Sequence, residues 1–355
     1  MVARIMILAG GTGGHIFPAL AVANVLRQQG CEVRWMGTRA GMESRLVPSE
    51  GIPIEWLSIA GFRGKGWTAK LQAPLKLVVA CWQAGRILRK FKPDVVLGMG
   101  GFVAGPGGIM ARLLGIPLVI HEQNRIPGTT NRLLLKWANK VLEAFPGSFK
   151  AKADAVFVGN PLRLSIVEAM AKDKPAKENT TKLLILGGSL GAKALNENVP
   201  EAIALIGEKL EIRHQTGESM HKVTEDLYAT LGIEATVSAF IQDMAEAYRW
   251  ADVVICRAGA MTVSELSIAA LPSVLVPFPF AIDDHQTANA RYMADAGAAV
   301  LLPQTELTPQ KLAEELKTLI KNPERIAAMA RNALSLAKPD AAQRVAELCL
   351  MEAGL

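Results

Sequence analysis

The sequence is poor in the residues that would staple a fold or hold a metal. Its four cysteines, Cys31, Cys81, Cys256 and Cys349, form no Cys-x-x-Cys pair and stand near no histidine at zinc-ligand spacing. A disulfide framework and a zinc site are excluded, and free thiols in a reducing compartment are expected. Membrane-spanning runs are absent too: Val95 to Ile120 is apolar except for Arg112, but seven glycines and two prolines interrupt it. A secretory signal needs an apolar core of ~7 to 15 residues, whereas the run after Arg4 reaches Gly10 within five. A cytosolic protein is therefore expected. No Asp-x-Asp stands near a strand end, and the adjacent Asp283 and Asp284 read as a solvated turn, so no metal site is expected.

What remains is ordinary globular composition, half apolar and 20% charged, over 355 residues, with a net charge of +6. That length favours two domains. The charge favours anionic partners without choosing among nucleotide, nucleic acid and lipid. The segment from Arg4 to His15 organises the chain: Ile5 to Ala9 reads as a buried strand running into Gly10-Gly11-Thr12-Gly13-Gly14-His15, and Pro18 to Gln29 has helical periodicity with Gly30 beyond it. A glycine loop at a strand-to-helix turn lets a phosphate or sugar approach backbone N–H groups and the positive helix end. It is also compatible with a tight turn that binds nothing. The third glycine of a dinucleotide fingerprint is missing, and Thr38 and Arg39 follow the next strand where an acid would hold a ribose. Ordinary NAD binding is disfavoured, while Arg39 leaves an NADP-dependent oxidoreductase open.

Short apolar strands alternate with helical stretches: Val33 to Met36, Val95 to Leu97, Leu118 to Ile120 and Lys140 to Leu142. Such alternation predicts a parallel sheet covered by helices, with ligands at the carboxyl ends of the strands, where Gly98 to Gly101 and His121 to Asn124 fall. The pattern restarts at Leu183 to Leu186, followed by Gly187-Gly188-Ser189-Leu190-Gly191-Ala192, then at Val253 to Cys256 and Ser273 to Val276. The fold class is thus α/β, two Rossmann-like domains facing across a cleft. The expected boundary is near Gly159-Asn160-Pro161, giving domains 1–160 and 161–340, with a last helix at about 341–355 packing back on the first. Lys172 to Thr181 reads as a surface loop.

From Trp56 to Pro93 there are eight basic residues and no acidic one. At helical spacing Leu71, Leu75, Val78, Val79 and Trp82 form one apolar stripe and Leu77, Cys81, Ala84 and Leu88 a second. One stripe suffices to join a core. The other, with Lys70, Lys76, Arg86 and Arg89 around it, either rests on an anionic membrane or is buried against a neighbouring element.

Six motifs occur in the order and spacing of one family: Gly10 to His15, Gly98-Met99-Gly100-Gly101-Phe102, His121-Glu122-Gln123-Asn124, Gly159-Asn160-Pro161-Leu162-Arg163, Gly187-Gly188-Ser189, and Ala260-Met261-Thr262-Val263-Ser264-Glu265. From Ile5 to about Arg344 the chain resembles the MurG-type enzymes, GT-B glycosyltransferases of bacterial cell-wall synthesis. The resemblance implies inverting transfer of N-acetylglucosamine from UDP-GlcNAc to the 4-hydroxyl of the muramoyl sugar of lipid I, giving lipid II. It implies a peripheral enzyme on the cytoplasmic face of the inner membrane, with cell-wall synthesis or division proteins as partners, and neither a cofactor nor nucleic acid. The first domain would then serve acceptor and membrane, the second UDP-GlcNAc.

Inversion is one displacement, needing a base for the acceptor hydroxyl and stabilisation of the departing UDP. His15 is the candidate base, since imidazole titrates near operating pH; its alternative is hydrogen bonding to phosphate or donor sugar. By the resemblance Thr12, Gly13 and Gly14 line the site, Asn124 and Gln286 contact the donor sugar, Arg163 faces phosphate, and Ile241 presents main-chain groups to uracil. Backbone N–H groups at Ser189, Ala260 and Met261, before a helix N-terminus, could carry the diphosphate charge without metal. Glu265 would hold the ribose hydroxyls, although Thr262-x-x-Glu265 also reads as a capping box. Leu190 stands where the family usually has glutamine. Two further rivals are a UDP-GlcNAc 2-epimerase on the same fold and a non-catalytic basic protein binding membrane or nucleic acid through Trp56 to Pro93.

Overall fold

The computed structural model describes residues 2–58, 67–172, 180–188 and 190–355, with the side chains of 67–73 and 282 outside the description. The chain divides into two compact units, Met1–Arg163 with Lys338–Leu355, and Leu164–Ala337.

Unit 1 alternates strand and helix: β1 (Arg4–Leu8), α1 (Gly13–Gln28), β2 (Glu32–Gly37), α2 (Glu43–Ser49), β3 (Ile54–Trp56), α3 (Trp67–Phe91), β4 (Val95–Gly98), α4 (Gly101–Leu113), β5 (Leu118–Glu122), α5 (Thr129–Leu134), β6 (Lys140–Glu143) and β7 (Val156–Phe157). The strands form one sheet in the order β3-β2-β1-β4-β5-β6-β7, all pairs parallel. Both faces are covered at its centre, so the central strands β1 and β4 are apolar at successive positions. Ile5 and Ile7 pack with Leu20, Ala23 and Leu26 of α1. Met6 and Leu8 pack with Ala84 and Leu88 of α3 and Val103 of α4.

Unit 2 repeats the plan: α6 (Leu164–Met170), β8 (Thr181–Leu186), α7 (Lys193–Ile206), β9 (Leu210–Gln215), α8 (His221–Thr230), β10 (Thr236–Ser238), α9 (Met244–Trp250), β11 (Val253–Cys256), α10 (Ala260–Ile268), β12 (Ser273–Leu275), α11 (His285–Asp295), β13 (Ala299–Leu301), α12 (Pro309–Ile320) and α13 (Pro323–Ser335). Its sheet runs β10-β9-β8-β11-β12-β13, again parallel. The final helix, α14 (Ala341–Glu352), returns to unit 1 and packs on α1, burying Val345 and Cys349 in the core beside Ile5 and Ile7. The break between units falls after Arg163 rather than Asn160. Arg163 lies over the Phe17 ring at 5.4 Å, and on the return pass Lys338 lies over the Phe157 ring at 4.9 Å, so both residues stay with unit 1.

Two local expectations change, and the inner stripe of α3, which the sequence left open, is seen. The helix expected from Pro18 starts at Gly13: Thr12 is extended and its carbonyl accepts from the N–H groups of His15 and Ile16 at 3.1 and 3.2 Å. Glycines and proline read as breakers in sequence, yet here they fill the first turns of a helix. The expected loop from Lys172 to Thr181 has residues 173–179 outside the described residues, and Thr181 itself opens β8. On α3 the second stripe is the inner one, with Ala84 and Leu88 buried, whereas Leu75, Val78 and Trp82 are 69%, 65% and 63% exposed. Among the described residues no helix is long and apolar enough to cross a membrane.

At the carboxyl ends of β1 and β4 the two glycine loops touch. Gly101 has φ +77, and a Cβ there would fall on the Gly10 carbonyl oxygen. Gly115, with φ +68, has open space around its missing Cβ. Gly115→Ala should therefore cost only the left-handed conformation, about 1–2 kcal/mol, while Gly101→Ala must also push two backbones apart. Urea denaturation is expected to show Gly101→Ala clearly the less stable of the two, and equal stabilities would mean that the contact of the loops is slack.

Candidate active site

The sites follow from strand order. In each sheet the order reverses beside the unit's first strand, between β1 and β4 in unit 1 and between β8 and β11 in unit 2. Crossovers leave in opposite directions there and open a crevice at the carboxyl ends.

In unit 1 the crevice is built on backbone held from below by buried carboxylates. Glu43, fully buried, accepts from the Gly11 N–H at 3.1 Å, the Thr38 N–H at 3.0 Å and the Thr38 hydroxyl at 2.7 Å. Glu122 accepts from the N–H groups of Asn124 and Gly128 at 2.9 and 3.0 Å and from Asn131 Nδ2 at 2.9 Å. Thr12, Gly13 and Gly14 lie at the start of α1, and His15 follows in its first turn. The His15 Nδ1 meets Gln123 Oε1 at 2.7 Å. Gln123 Nε2 contacts His121 Nδ1 at 2.9 Å and donates to the His121 carbonyl at 3.0 Å, and His121 Nε2 donates to the Gly159 carbonyl at 2.9 Å. Gly100, with φ +96, walls the ring: a Cβ there would lie 2.9 Å from His15 Cε1 and Nδ1. Asn160 Nδ2 donates to the Gln123 carbonyl at 3.1 Å. The structure thus brings His15 and the His121–Asn124 segment together and sets Arg163 on Phe17 of the same helix. Arg39, the residue that left NADP open, lies over the Trp56 ring at 5.0 Å.

In unit 2 the matching positions carry Ile241 beyond β10, the start of α10 beyond β11, and Gln286 in α11 beyond β12. The α10 helix opens at Ala260 after an extended Gly259, so Thr262 is its third residue rather than its cap, and the capping-box reading fails. Glu265 lies in the second turn, buried, and accepts from the Tyr248 hydroxyl at 2.9 Å. Val263 is fully buried, whereas Met261, Thr262 and Ser264 are half-buried, with the Ser264 hydroxyl donating to the Ala260 carbonyl. Gln286 Oε1 accepts from the Phe278 N–H at 2.9 Å. Gln215 clamps the loop after β8 by accepting from the Gly188 N–H at 2.9 Å and donating to its carbonyl at 3.0 Å. Ser189 lies outside the described residues, and Leu190 beside it is 90% exposed. Among the described residues no group of three or more His, Cys, Asp and Glu could hold a metal ion.

The membrane candidates stand apart on α3. Lys76, Arg86 and Arg89 are exposed with Leu75, Val78 and Trp82, and Arg86 lies over the Trp82 ring at 5.9 Å; the side chains of Lys70 and Leu71 lie outside the description. Sequence reasoning assigned no role to Glu43, Gln123, His121, Gln215 or Tyr248. Gln123 and His121 did fall within a recognised motif, but their partners are distant in the chain, and Glu43 sits in a stretch without any motif.

Two buried histidines give each unit a pH signature. Desolvation lowers His121 to about 4 in unit 1 and His214 to about 3 in unit 2, from 6.5. Above pH 6.5 both rings are neutral folded or unfolded. As pH falls below that value the unfolded chain takes up the protons first, and the folded state loses about 1.4 kcal/mol per pH unit per ring until the folded pKa is reached. Urea unfolding should therefore show each unit about 2 kcal/mol less stable from its histidine at about pH 5 than at about pH 7. A stability that stays level would mean that these rings are protonated within the fold.

Comparison with known proteins agrees with this geometry. Residues 5–143 match the glycosyltransferase family 28 N-terminal domain and residues 182–345 its C-terminal domain. A Methylococcus capsulatus protein named UDP-N-acetylglucosamine–N-acetylmuramyl-(pentapeptide) pyrophosphoryl-undecaprenol N-acetylglucosamine transferase is 61% identical over 355 residues, covering 100% of both chains. The crystal structure of Acinetobacter baumannii MurG superposes with a TM-score of 0.84 at 44% identity, covering 98% of this chain and 99% of that one. A UDP-N-acetylglucosamine 2-epimerase structure, at 12% identity and a TM-score of 0.68, shares the fold alone. With both domain models matched and full-length relatives far above the level at which homology is secure, the chain belongs to glycosyltransferase family 28, among its MurG-type members.

Proposed function

We propose that the chain transfers N-acetylglucosamine from UDP-GlcNAc to the 4-hydroxyl of the muramoyl sugar of lipid I, forming lipid II with inversion. The observation that supports this most is the 61% identity, over the full length, to a relative named for that transfer. In the displacement the acceptor oxygen bonds to the anomeric carbon as the bond to the diphosphate oxygen breaks. The hydroxyl proton passes to His15, and UDP leaves with the electron pair. His15 suits the role of base because its ring is held by Gln123 and walled by Gly100.

On the donor side Glu265 is the acceptor for the two ribose hydroxyls. It is buried in the second turn of α10 and accepts from the Tyr248 hydroxyl at 2.9 Å. The start of α10, from Ala260 through Thr262, Val263 and Ser264, offers N–H groups and a positive helix end to the diphosphate, to which Ser189 is also assigned. Arg163 is assigned to phosphate, Ile241 to uracil through its main chain, and Asn124 and Gln286 to the donor sugar, with Thr12, Gly13 and Gly14 lining the site. Domain roles follow: unit 1 serves acceptor and membrane, unit 2 the donor.

Attachment is assigned to α3, through Leu71, Leu75, Val78 and Trp82 with Lys70, Lys76, Arg86 and Arg89 on an anionic surface. This is the peripheral position that an enzyme acting on an undecaprenyl-linked acceptor at the cytoplasmic face needs. Cell-wall synthesis or division proteins are its expected partners.

Calorimetry with EDTA present should show UDP-GlcNAc and UDP binding and no response to NADPH; binding of NADPH alone would return the glycine loop to the oxidoreductases. His15→Ala should lower turnover by ~10²- to 10⁴-fold with UDP affinity unchanged, and near-normal turnover would remove His15 as base. Glu265→Ala should weaken UDP and uridine alike. On vesicles containing anionic lipid, Val78→Glu with Trp82→Glu should abolish sedimentation with the lipid while leaving UDP affinity intact; undiminished sedimentation would place the membrane contact elsewhere.

A further inference from the structure

The histidine assigned as base is useful only if its free nitrogen faces the acceptor unprotonated. Neutral imidazole carries one proton on either nitrogen, and the hydrogen bond made by one nitrogen decides the state of the other. Resting on the reading of His15 as base, we propose that Gln123 and His121 are positioning residues that hold neutral His15 as the Nδ1–H tautomer, leaving the Nε2 lone pair for the acceptor proton. The juxtaposition behind it is a chain of contacts from the Gly159 carbonyl through His121 and Gln123 to His15.

The direction of every bond in that chain follows from its far end. A carbonyl oxygen only accepts, so His121 Nε2, 2.9 Å from the Gly159 oxygen, carries a proton. His121 is fully buried, and desolvation holds it neutral at ordinary pH, so its Nδ1 has no proton and must accept. The atom 2.9 Å from that Nδ1 must then be the amide nitrogen of Gln123, which also donates to the His121 carbonyl at 3.0 Å. Turning the amide over would point its oxygen at two acceptors, so the orientation is fixed by the network. Gln123 Oε1 is thereby aimed at His15 Nδ1, at 2.7 Å, and an amide oxygen can only accept. His15 Nδ1 carries the proton and Nε2 the lone pair. In water the other tautomer of histidine is the more stable, so the protein reverses an intrinsic preference.

This replaces the carboxylate that usually orients a catalytic histidine with a neutral amide. Gln123 is 1% exposed and His121 fully buried, so the relay is shielded from water. Charged groups around these residues have other partners: Glu43 is occupied by Gly11 and Thr38, Glu122 by Asn124, Gly128 and Asn131, Arg163 lies on Phe17, and Lys338, packed against Gly159, lies over Phe157.

The test reads the tautomer directly. The chain has five histidines, His15, His121, His214, His221 and His285, so long-range ¹H–¹⁵N spectra of the imidazoles can be assigned by omission in a His15→Gln variant. Wild-type His15 is expected as Nδ1–H and His121 as Nε2–H. Gln123→Met, similar in size but without an acceptor, should move His15 to Nε2–H and lower kcat by on the order of tenfold, less than removal of the base outright. UDP affinity should not change. Gln123→Glu keeps an oxygen for His15 Nδ1 but sets its other oxygen against the two His121 acceptors, so it needs a proton on that side; with it, His15 should stay Nδ1–H and retain more of kcat than in Gln123→Met. An Nε2–H ring in the wild type, or an Nδ1–H ring that survives Gln123→Met, overturns the proposal. The base role of His15 is judged separately, by the turnover of His15→Ala, so the two can fail independently.

Discussion

A parallel sheet buried on both faces must send its crossovers to both sides, and the strand at which they diverge leaves a gap that no helix covers. In both units that strand is the first of the sheet, β1 or β8. The α1 start and His15, the Gly100–Gly101 turn, the loop clamped by Gln215 and the start of α10 all lie at carboxyl ends around such a gap. The two backbones that meet in the unit 1 gap approach so closely that Gly101 has no room for a side chain. At Gly101 glycine is thus a packing requirement before it is a ligand-binding one, whereas Gly14 and Gly188 have space for a Cβ.

Holding such loops rigid needs hydrogen-bond acceptors beneath them, and unit 1 uses buried carboxylates. Besides Glu43 and Glu122, Glu143 at the end of β6 accepts from the N–H groups of Gly147 and Phe149 at 2.8 and 3.1 Å. Each carboxylate ties two backbone N–H groups to the sheet. A buried charge is costly unless its oxygens are satisfied, and these have two or more donors each. The result is a set of loops whose conformation is established before substrate arrives, which is the condition under which backbone dipoles help a displacement most.

The strongest sequence signals were strand, glycine loop and helix repeats, because a doubly buried strand is apolar at every position and a glycine run marks its end. The expected strands Ile5 to Ala9, Val253 to Cys256 and Leu183 to Leu186 lie within a residue or two of those observed. Edge strands of two or three residues, β3, β7, β10 and β13, carry too few residues for a period, and β9 is masked by its polar end at His214 and Gln215. Strand order could not be read, since pairing is non-local. The same limit hid the relay: Gln123 lies 108 positions from His15, and a glutamine in a motif does not say which way its amide points. The capping-box alternative at Thr262-x-x-Glu265 fails for the opposite reason, a local pattern overruled when the extended Gly259 lets the helix begin earlier.

The exposed turns of α3 can be weighed by magnitude. Leu75, Val78 and Trp82 are each about two-thirds exposed, and burying such side chains fully yields roughly 1.5–3 kcal/mol apiece. Basic residues near an anionic surface add about 1 kcal/mol each. For the attachment proposed above, the sum is of the order of one or two acyl chains, which would give reversible binding rather than insertion. Trp82 also carries Arg86 over its ring, so an apolar body and a cation are presented together, the combination suited to the headgroup level of a bilayer. An enzyme whose acceptor and product both stay anchored in lipid gains from such weak binding: it can remain at the surface through a catalytic cycle and still move on to the next acceptor.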